Sequence, residues 1–202
     1  MKKIKLSLIF ILPLLIFCGC AKPEIRNLHS KGANIICFGD SITFGYGANE
    51  GEDYPTGLSK LLSREVINAG VDGDTTFDAL ARIEADVLDK DPRMVIVEFG
   101  GNDFLQKVPE SDTLKNLEQI IDRIQQKGAI VVLVDISSGF FMQSYRDKYR
   151  KLAEEKKTVF IPQILKNIIT NPGMKSDFFH PNARGYQIIS QRIYSGVSPY
   201  LK

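Results

Sequence analysis

From Asn34 onward, short apolar runs alternate with segments of helical period, and this alternation restricts the fold more than any other feature of the chain. Residues 35–38 form an apolar run that ends at Gly39. The stretch 56–62 reads as a helix, and Val66-Ile67 as a second strand closed by Asn68-Ala69-Gly70. In 75–88, Phe77, Leu80, Ile83 and Val87 recur near helical spacing. A third strand at 94–97 runs into Gly100-Gly101. Residues 112–126 give the clearest helix: Leu114, Leu117, Ile121 and Ile124 share a face, and Gly128 closes it. A strand at 129–134, a polar and mostly exposed helix at 144–156 and a fifth strand at 158–161 follow. From Ala183, Tyr186, Ile189, Ile193 and Val197 line one side of a last helix. Nearly continuous apolar strands alternating with helices predict an α/β fold whose parallel sheet is covered on both faces. Ligands of such sheets bind beyond the carboxyl ends of the strands.

The first twenty residues belong to a different kind of segment. Lys2, Lys3 and Lys5 precede an apolar stretch of about twelve residues, too short for a bilayer core that needs roughly 20. The stretch ends in Cys18-Gly19-Cys20, and the whole reads as a secretory signal. Phe17-Cys18-Gly19-Cys20 resembles a bacterial lipobox, in which the last Cys becomes the lipidated mature N-terminus. The expected organisation is a signal peptide over 1–19, lipidated Cys20 and a polar tether over 20–32, and one domain over 33–202. Cleavage leaves 183 of the 202 residues and removes three of the 26 Lys and Arg, so 23 bases face 24 acids and the balance is about −1. No basic excess or Arg/Lys cluster remains, so no nucleic-acid partner is expected. A hydrophobic content of 44% excludes a disordered chain. Cys37, left alone in an apolar run, reads as a small core residue.

Histidine is scarce: His29 sits in the tether, and His180 follows Ser176-Asp177-Phe178-Phe179. Asp177 stands three residues before His180, a spacing that lets its carboxylate accept the Nδ1 hydrogen and leave Nε2 free as a base. Pro181-Asn182 then suits a helix entry. A nucleophile for that base is offered by Gly39-Asp40-Ser41-Ile42-Thr43, directly after the first strand. A serine hydroxyl needs such a base to become reactive. Thr43 occupies the second Gly position of G-x-S-x-G, and Glu50 interrupts a G-x-G-x-x-G. Donors for an oxyanion are available from the N–H of Gly70 and the amide of Asn102, each just after a strand. Taken singly, these motifs equally fit a capped turn, a helix entry and common glycine turns.

In chain order, however, Gly39-Asp40-Ser41, Gly70, Gly100-x-Asn102-Asp103 and Asp177-x-x-His180 resemble the four blocks of the SGNH, or GDSL-type, hydrolase family. VIVEFGGNDFL and DFFHPN look like its acyl-CoA thioesterase I/lysophospholipase L1-like and arylesterase-like branch. The resemblance implies a three-layer α/β/α sandwich around a five-stranded parallel sheet, the flavodoxin-like arrangement. It implies Ser41 as nucleophile, His180 as base and Asp177 as its orienting carboxylate. The oxyanion hole it implies is built from Ser41, Gly70 and Asn102. Asp40 and Asp103 are expected to hold loops, Asp72 and Asp74 to cap the helix after Gly70, and Glu154-Glu155 to lie on a solvated face. No cofactor is expected, and no His/Cys ligand set remains for a metal.

The expected substrate is a small ester, thioester or lysophospholipid, and the expected state a monomer. Specificity should lie in residues 104–111 and 137–143, with Phe140 and Phe141 as candidate walls of an acyl pocket. A tether to the membrane favours a substrate at the bilayer or envelope, and Ala21 after the Cys points to the outer membrane in a diderm cell. A carbohydrate O-deacetylase of the same family and a non-catalytic surface lipoprotein are the alternative readings.

Overall fold

The structure is a computed structural model that describes residues 24–138 and 142–201. The signal segment 1–19, the proposed lipid site Cys20 and the aromatic pair Phe140-Phe141 lie outside the described residues.

Five strands form one parallel sheet in the order β2-β1-β3-β4-β5. They are β1 (Asn34–Gly39), β2 (Val66–Gly70), β3 (Pro92–Glu98), β4 (Ile130–Val134) and β5 (Val159–Ile161). All five residues of β4 and the last five of β1 are buried, as a sheet covered on both faces requires. The chain steps from β1 outward to β2 and then crosses to β3 on the other side of β1. The carboxyl end of β1 is therefore the switch point of the sheet, where its crevice opens.

Two groups of helices cover the sheet. α2 (Tyr54–Leu62) and α7 (Ala183–Val197) pack on each other, α2 against β2 and α7 against β5. α3 (Thr76–Asp86), α5 (Glu110–Gln126) and α6 (Gln143–Glu155) form the other group, joined through α5. The short helices α1 (Ser41–Phe44) and α4 (Gly101–Leu105) follow β1 and β3 directly. On α7, Tyr186, Ile189, Ile193 and Val197 all face the core, as their spacing predicts. On α5, Leu117, Ile120, Ile121 and Ile124 form the buried stripe and Leu114 only borders it.

Two expectations need correction. α6 is less exposed than its polar sequence implies, because Tyr145, Tyr149, Leu152 and Ala153 form a buried stripe at helical spacing. Tyr149 offsets the burial of its hydroxyl by donating to Phe99 O at 2.8 Å. Neither Asp72 nor Asp74 caps α3. Thr75 does so, paired reciprocally with Asp78 in a capping box.

Residues 24–32, read from the sequence as tether, lie against the domain. Arg26 N–H donates to Lys157 O (2.9 Å). The Asn27 amide donates to Gln125 O (2.8 Å) and Ala129 O (2.9 Å), and Lys157 pairs with Glu24 (2.7 Å). All these partners precede β4 or β5, so the chain enters at the amino-end pole of the sheet.

Arg82 of α3 ties the opposite pole together. Its guanidinium donates to Ala69 O at the end of β2 (2.9 Å) and Gly39 O at the end of β1 (3.0 Å). It pairs with Asp74 (2.6 Å) and Asp86 (2.9 Å) and lies 4.5 Å above the Phe38 ring. Arg82→Ala should lower the unfolding free energy by about 2–4 kcal/mol, since it strands the mostly buried Asp74 carboxylate, frees Asp86 and takes a donor from Ala69 O and Gly39 O. Arg82→Lys should recover little of it, because a single ammonium cannot span this fork. Urea midpoints of the three proteins test both expectations.

Candidate active site

Ser41 is the first residue of α1, delivered by β1 to the switch point and almost fully buried. The turn is tight because Gly39 has no side chain: a Cβ there would lie 2.0 Å from Thr43 Oγ1 and 2.7 Å from Glu98 Oε2. Asp40 caps the helix by accepting from Ile42 N–H at 3.0 Å. Ser41 Oγ lies 3.0 Å from His180 Nε2, and His180 Nδ1 lies 2.8 Å from Asp177 Oδ2. With the proton on Nδ1, the imidazole donates to Asp177 and accepts from the serine hydroxyl. Asp177 Oδ1 also accepts the backbone N–H groups of Phe179 and His180, both at 2.8 Å. Burial raises this carboxyl, but the hydrogen bonds outweigh it and hold Asp177 below the usual range, so it stays anionic.

Structure on both sides fixes the His180 loop. Ser176 N–H donates to His180 O (2.9 Å), Lys175 bridges to Pro181, and Asn182 caps α7 through Arg184 and Gly185 N–H. The Tyr46 ring lies 4.5 Å from the imidazole, and Tyr186 Oη holds the Tyr46 backbone at 2.8 Å. The motifs of this region do not identify Tyr46. Its signal was its position five residues after Ser41 in a glycine-flanked turn.

The expected oxyanion donors divide. Asn102, in the first turn of α4, donates to Asp74 O at 2.9 Å and only reaches Asp40 Oδ2 at 3.5 Å, so its second N–H can turn to a stronger acceptor. The Ser41 N–H, at the free end of α1, has no acceptor among the described residues. Gly70 does not fit the expectation. Its N–H is taken by Asn68 Oδ1 at 2.9 Å, and it does not line the cavity at Ser41. It is glycine because a Cβ would meet Phe44 N at 2.2 Å, so its task is to let α1 lie on β2. The loop after β2 reaches the cavity farther on, through Asp72. There Gly73 takes a left-handed φ of +84°, open space faces its absent Cβ, and its N–H has no acceptor among the described residues.

Asp103 behaves as the loop-holder expected of it. It is buried and accepts Thr76 N–H at 2.9 Å and the Thr76 and Thr113 hydroxyls, pinning α4 to α3 and α5. The sequence reading did not single out Glu98. It is fully buried at the end of β3 and accepts Thr43 Oγ1–H at 2.8 Å, while Tyr54 Oη stands 2.8 Å behind that hydroxyl. Its other oxygen is buried beside Asp40, whose carboxyl is the chief charge acting on it. Burial pushes both carboxyls up, Glu98 the further because Asp40's charge adds to it. Two buried carboxyls in contact keep one proton between them. Glu98, the more strongly raised, is the better holder of that proton, and Asp40 Oδ1 accepts Ile42 N–H.

The cavity beside Ser41 has a volume of about 120 Å³. Ile42, Leu105, Ile136, Leu165, Ile169 and Phe179 make its apolar wall; Asp72, Asn102 and His180 are polar points on its rim. A larger hollow of about 410 Å³ between α2 and α7 touches none of these groups.

A serine, an imidazole and a carboxylate hydrogen-bonded in series at the carboxyl end of a parallel sheet define the layout of a serine hydrolase. The sequence profile of the GDSL-like lipase/acylhydrolase family matches residues 37–188, and the chain belongs to that family. It is a serine-type ester hydrolase. An arylesterase of Vibrio mimicus is 30% identical over 178 residues, covering 83% of this chain and 89% of its own. The thioesterase 1/protease 1/lysophospholipase L1 of Escherichia coli K12 is 29% identical over 173 residues, 82% of this chain and 83% of its own. The crystal structure of TesA superposes with a TM-score of 0.78 at 26% identity, over 84% of this chain and all of that one. An uncharacterized lipoprotein of Bacillus subtilis, YqeF, is 29% identical over 143 residues, 61% of this chain and 58% of its own.

Glu98→Gln preserves the shape of the neutral carboxyl without its titration. The unfolded chain releases the Glu98 proton near pH 4.5 but the folded protein retains it, so wild-type stability falls as pH rises from there. The melting advantage of the Gln variant should therefore widen between about pH 5 and pH 8, on the order of 1 kcal/mol per pH unit. A pH-independent difference would overturn the shared-proton assignment.

Proposed function

We propose that the protein is a lipid-anchored esterase that cleaves short- to middle-chain acyl esters and thioesters through an acyl-enzyme on Ser41. The observation that carries this reading is the series Ser41 Oγ–His180 Nε2–Asp177 at 3.0 and 2.8 Å, opening on an apolar cavity.

In this mechanism Ser41 Oγ attacks the carbonyl carbon as its proton passes to His180 Nε2. Asp177 keeps the second proton on Nδ1 and stabilises the imidazolium that forms. The tetrahedral oxyanion is held by the N–H groups of Ser41 and Gly73 and the amide of Asn102, with Gly73 in place of Gly70. His180 then protonates the leaving alcohol or thiol as the acyl–oxygen or acyl–sulfur bond breaks. A water molecule attacks the acyl-serine by the same route, releases the acid and restores Ser41. No cofactor or metal takes part in these steps.

The apolar wall favours an acyl chain over a sugar in the cavity. Its volume, under the roughly 300–1,000 Å³ of drug-sized sites, favours a short chain. That small volume is also the observation that keeps the O-deacetylase reading open. The lipobox at Cys20 and the likeness to YqeF support an anchor in the cell envelope, in the outer membrane if the cell is diderm.

The soluble domain should be assayed on p-nitrophenyl esters from acetyl to palmitoyl. A maximum at short to middle lengths that vanishes in Ser41→Ala is expected. Activity on acetyl alone would favour the deacetylase, and activity surviving in Ser41→Ala would overturn the nucleophile. Asn102→Ala should lower kcat by about 10²–10³ with little change in melting temperature. Asp177→Asn should cost less than Ser41→Ala on the same ester, since Asp177 acts through the base and forms no bond to the substrate.

A further inference from the structure

Most of the large apolar side chains exposed to solvent gather at one pole of the domain, Leu28 and Leu61 lying elsewhere. Phe44 and Tyr46 follow β1, Val71 and Phe77 follow β2, Leu105 follows β3, and Phe178 leads into His180. Phe77 and Phe178 are 73% and 75% exposed. Leu105 also walls the cavity beside Ser41, so the apolar surface continues from the rim into the site. Lys175, its ammonium 5.4 Å over the Phe178 ring, sets a cation among these side chains. A monomer rarely leaves a large apolar surface bare unless something covers it.

On the anchored reading, the described chain leads from the anchor into the other pole. Glu24, Arg26 and Asn27 are fastened to Lys157, Gln125 and Ala129 at the amino ends of β4 and β5. Only residues 21–23 separate this clamp from Cys20, which bounds the distance from the Cys20 Cα to the Glu24 Cα at about 14 Å, the thioether link to lipid adding a few ångströms. β1 alone, six residues long, spans about 20 Å between the poles, and the loops at both ends add to that. The leash is shorter than the domain is tall, so the apolar rim cannot face the bilayer that holds the anchor.

We propose that this rim docks onto a lipid surface other than the anchoring bilayer, so that the substrate is an amphiphile's acyl ester presented in trans. The proposal rests on the anchored-esterase reading and narrows its substrate: lipids of the enzyme's own membrane are out of reach. Aromatic and aliphatic side chains with an adjacent cation suit an interface of acyl chains beneath anionic headgroups.

Full-length lipidated protein is incorporated into phosphatidylcholine–phosphatidylglycerol vesicles. A fluorogenic acyl ester on a non-exchanging two-chain lipid is placed either in the same vesicles or in enzyme-free ones. Hydrolysis should be at least about tenfold faster in trans, and a flexible Gly/Ser insert of about twenty residues after Pro23 should raise the cis rate to match. Phe77→Ser and Phe178→Ser should each lower the trans rate by about tenfold and leave p-nitrophenyl butyrate hydrolysis unchanged. Cis hydrolysis as fast as trans without the insert overturns the orientation. An unchanged trans rate in both Ser variants overturns the docking surface, and leaves an apolar protein partner as the reading of the rim. The mass of the N-terminal peptide from the same vesicles separates the failures. An unmodified Cys20 removes the anchor and the proposal with it; a lipidated Cys20 with fast cis hydrolysis removes the orientation alone.

Discussion

The site depends on how closely the first turn of α1 can lie against the ends of three adjacent strands. Gly39 and Gly70 face each other across β1 and β2, and neither tolerates a Cβ. Their small size lets Thr43 reach Glu98 beneath β3 and brings Ser41 to the crevice at the end of β1, from which the chain's connections lead to β2 on one side and to β3 on the other. That close approach buries two carboxyls near each other, and burial raises both, so that a proton held there relieves their repulsion. Arg82 then donates hydrogen bonds to the carbonyls at the ends of β1 and β2 from the other side. The nucleophile owes its position to backbone packing, and the packing is made affordable by one proton and one guanidinium.

His180 reaches Ser41 from more than a hundred residues away, and no element of regular structure carries it there. Its loop is held by hydrogen bonds that close on themselves: Ser176 to His180, Asn182 to α7, and Asp177 to the backbone of the residues it precedes. Asp177 therefore has two tasks with two oxygens, one for the backbone and one for the imidazole. A carboxylate bound this way is hard to protonate and hard to rotate, both useful in a group that orients a base.

The order of strands and helices was legible because β1 and β4 are nearly continuous apolar runs and α5 and α7 show their stripes in sequence. Ser41, Asp177 and His180 were legible because short motifs with glycines and a three-residue spacing mark them, and the geometry joins all three. Gly70 shows where motif reading fails. Two glycines stand three residues apart, one closing β2 and one in the loop after it, and sequence does not reveal which one packs and which one has a free N–H. Glu98 and Arg82 were missed for another reason. A charged residue beside an apolar strand or on a polar helix looks like a surface residue until its neighbours from distant segments are known. Tyr145 and Tyr149 misled in the opposite sense, because tyrosine counted as polar hides a buried stripe.

Glu24 lines the same hollow as Pro199 and Tyr200, so both ends of the described chain emerge at the amino-end pole. For protein engineering this is a convenient geometry. The domain can be grafted into a loop of a host protein, or fixed to a bead through either end, with its working pole turned outward. A circular permutant would need only a short connector between residues 201 and 24, leaving the loops around Ser41 uncut.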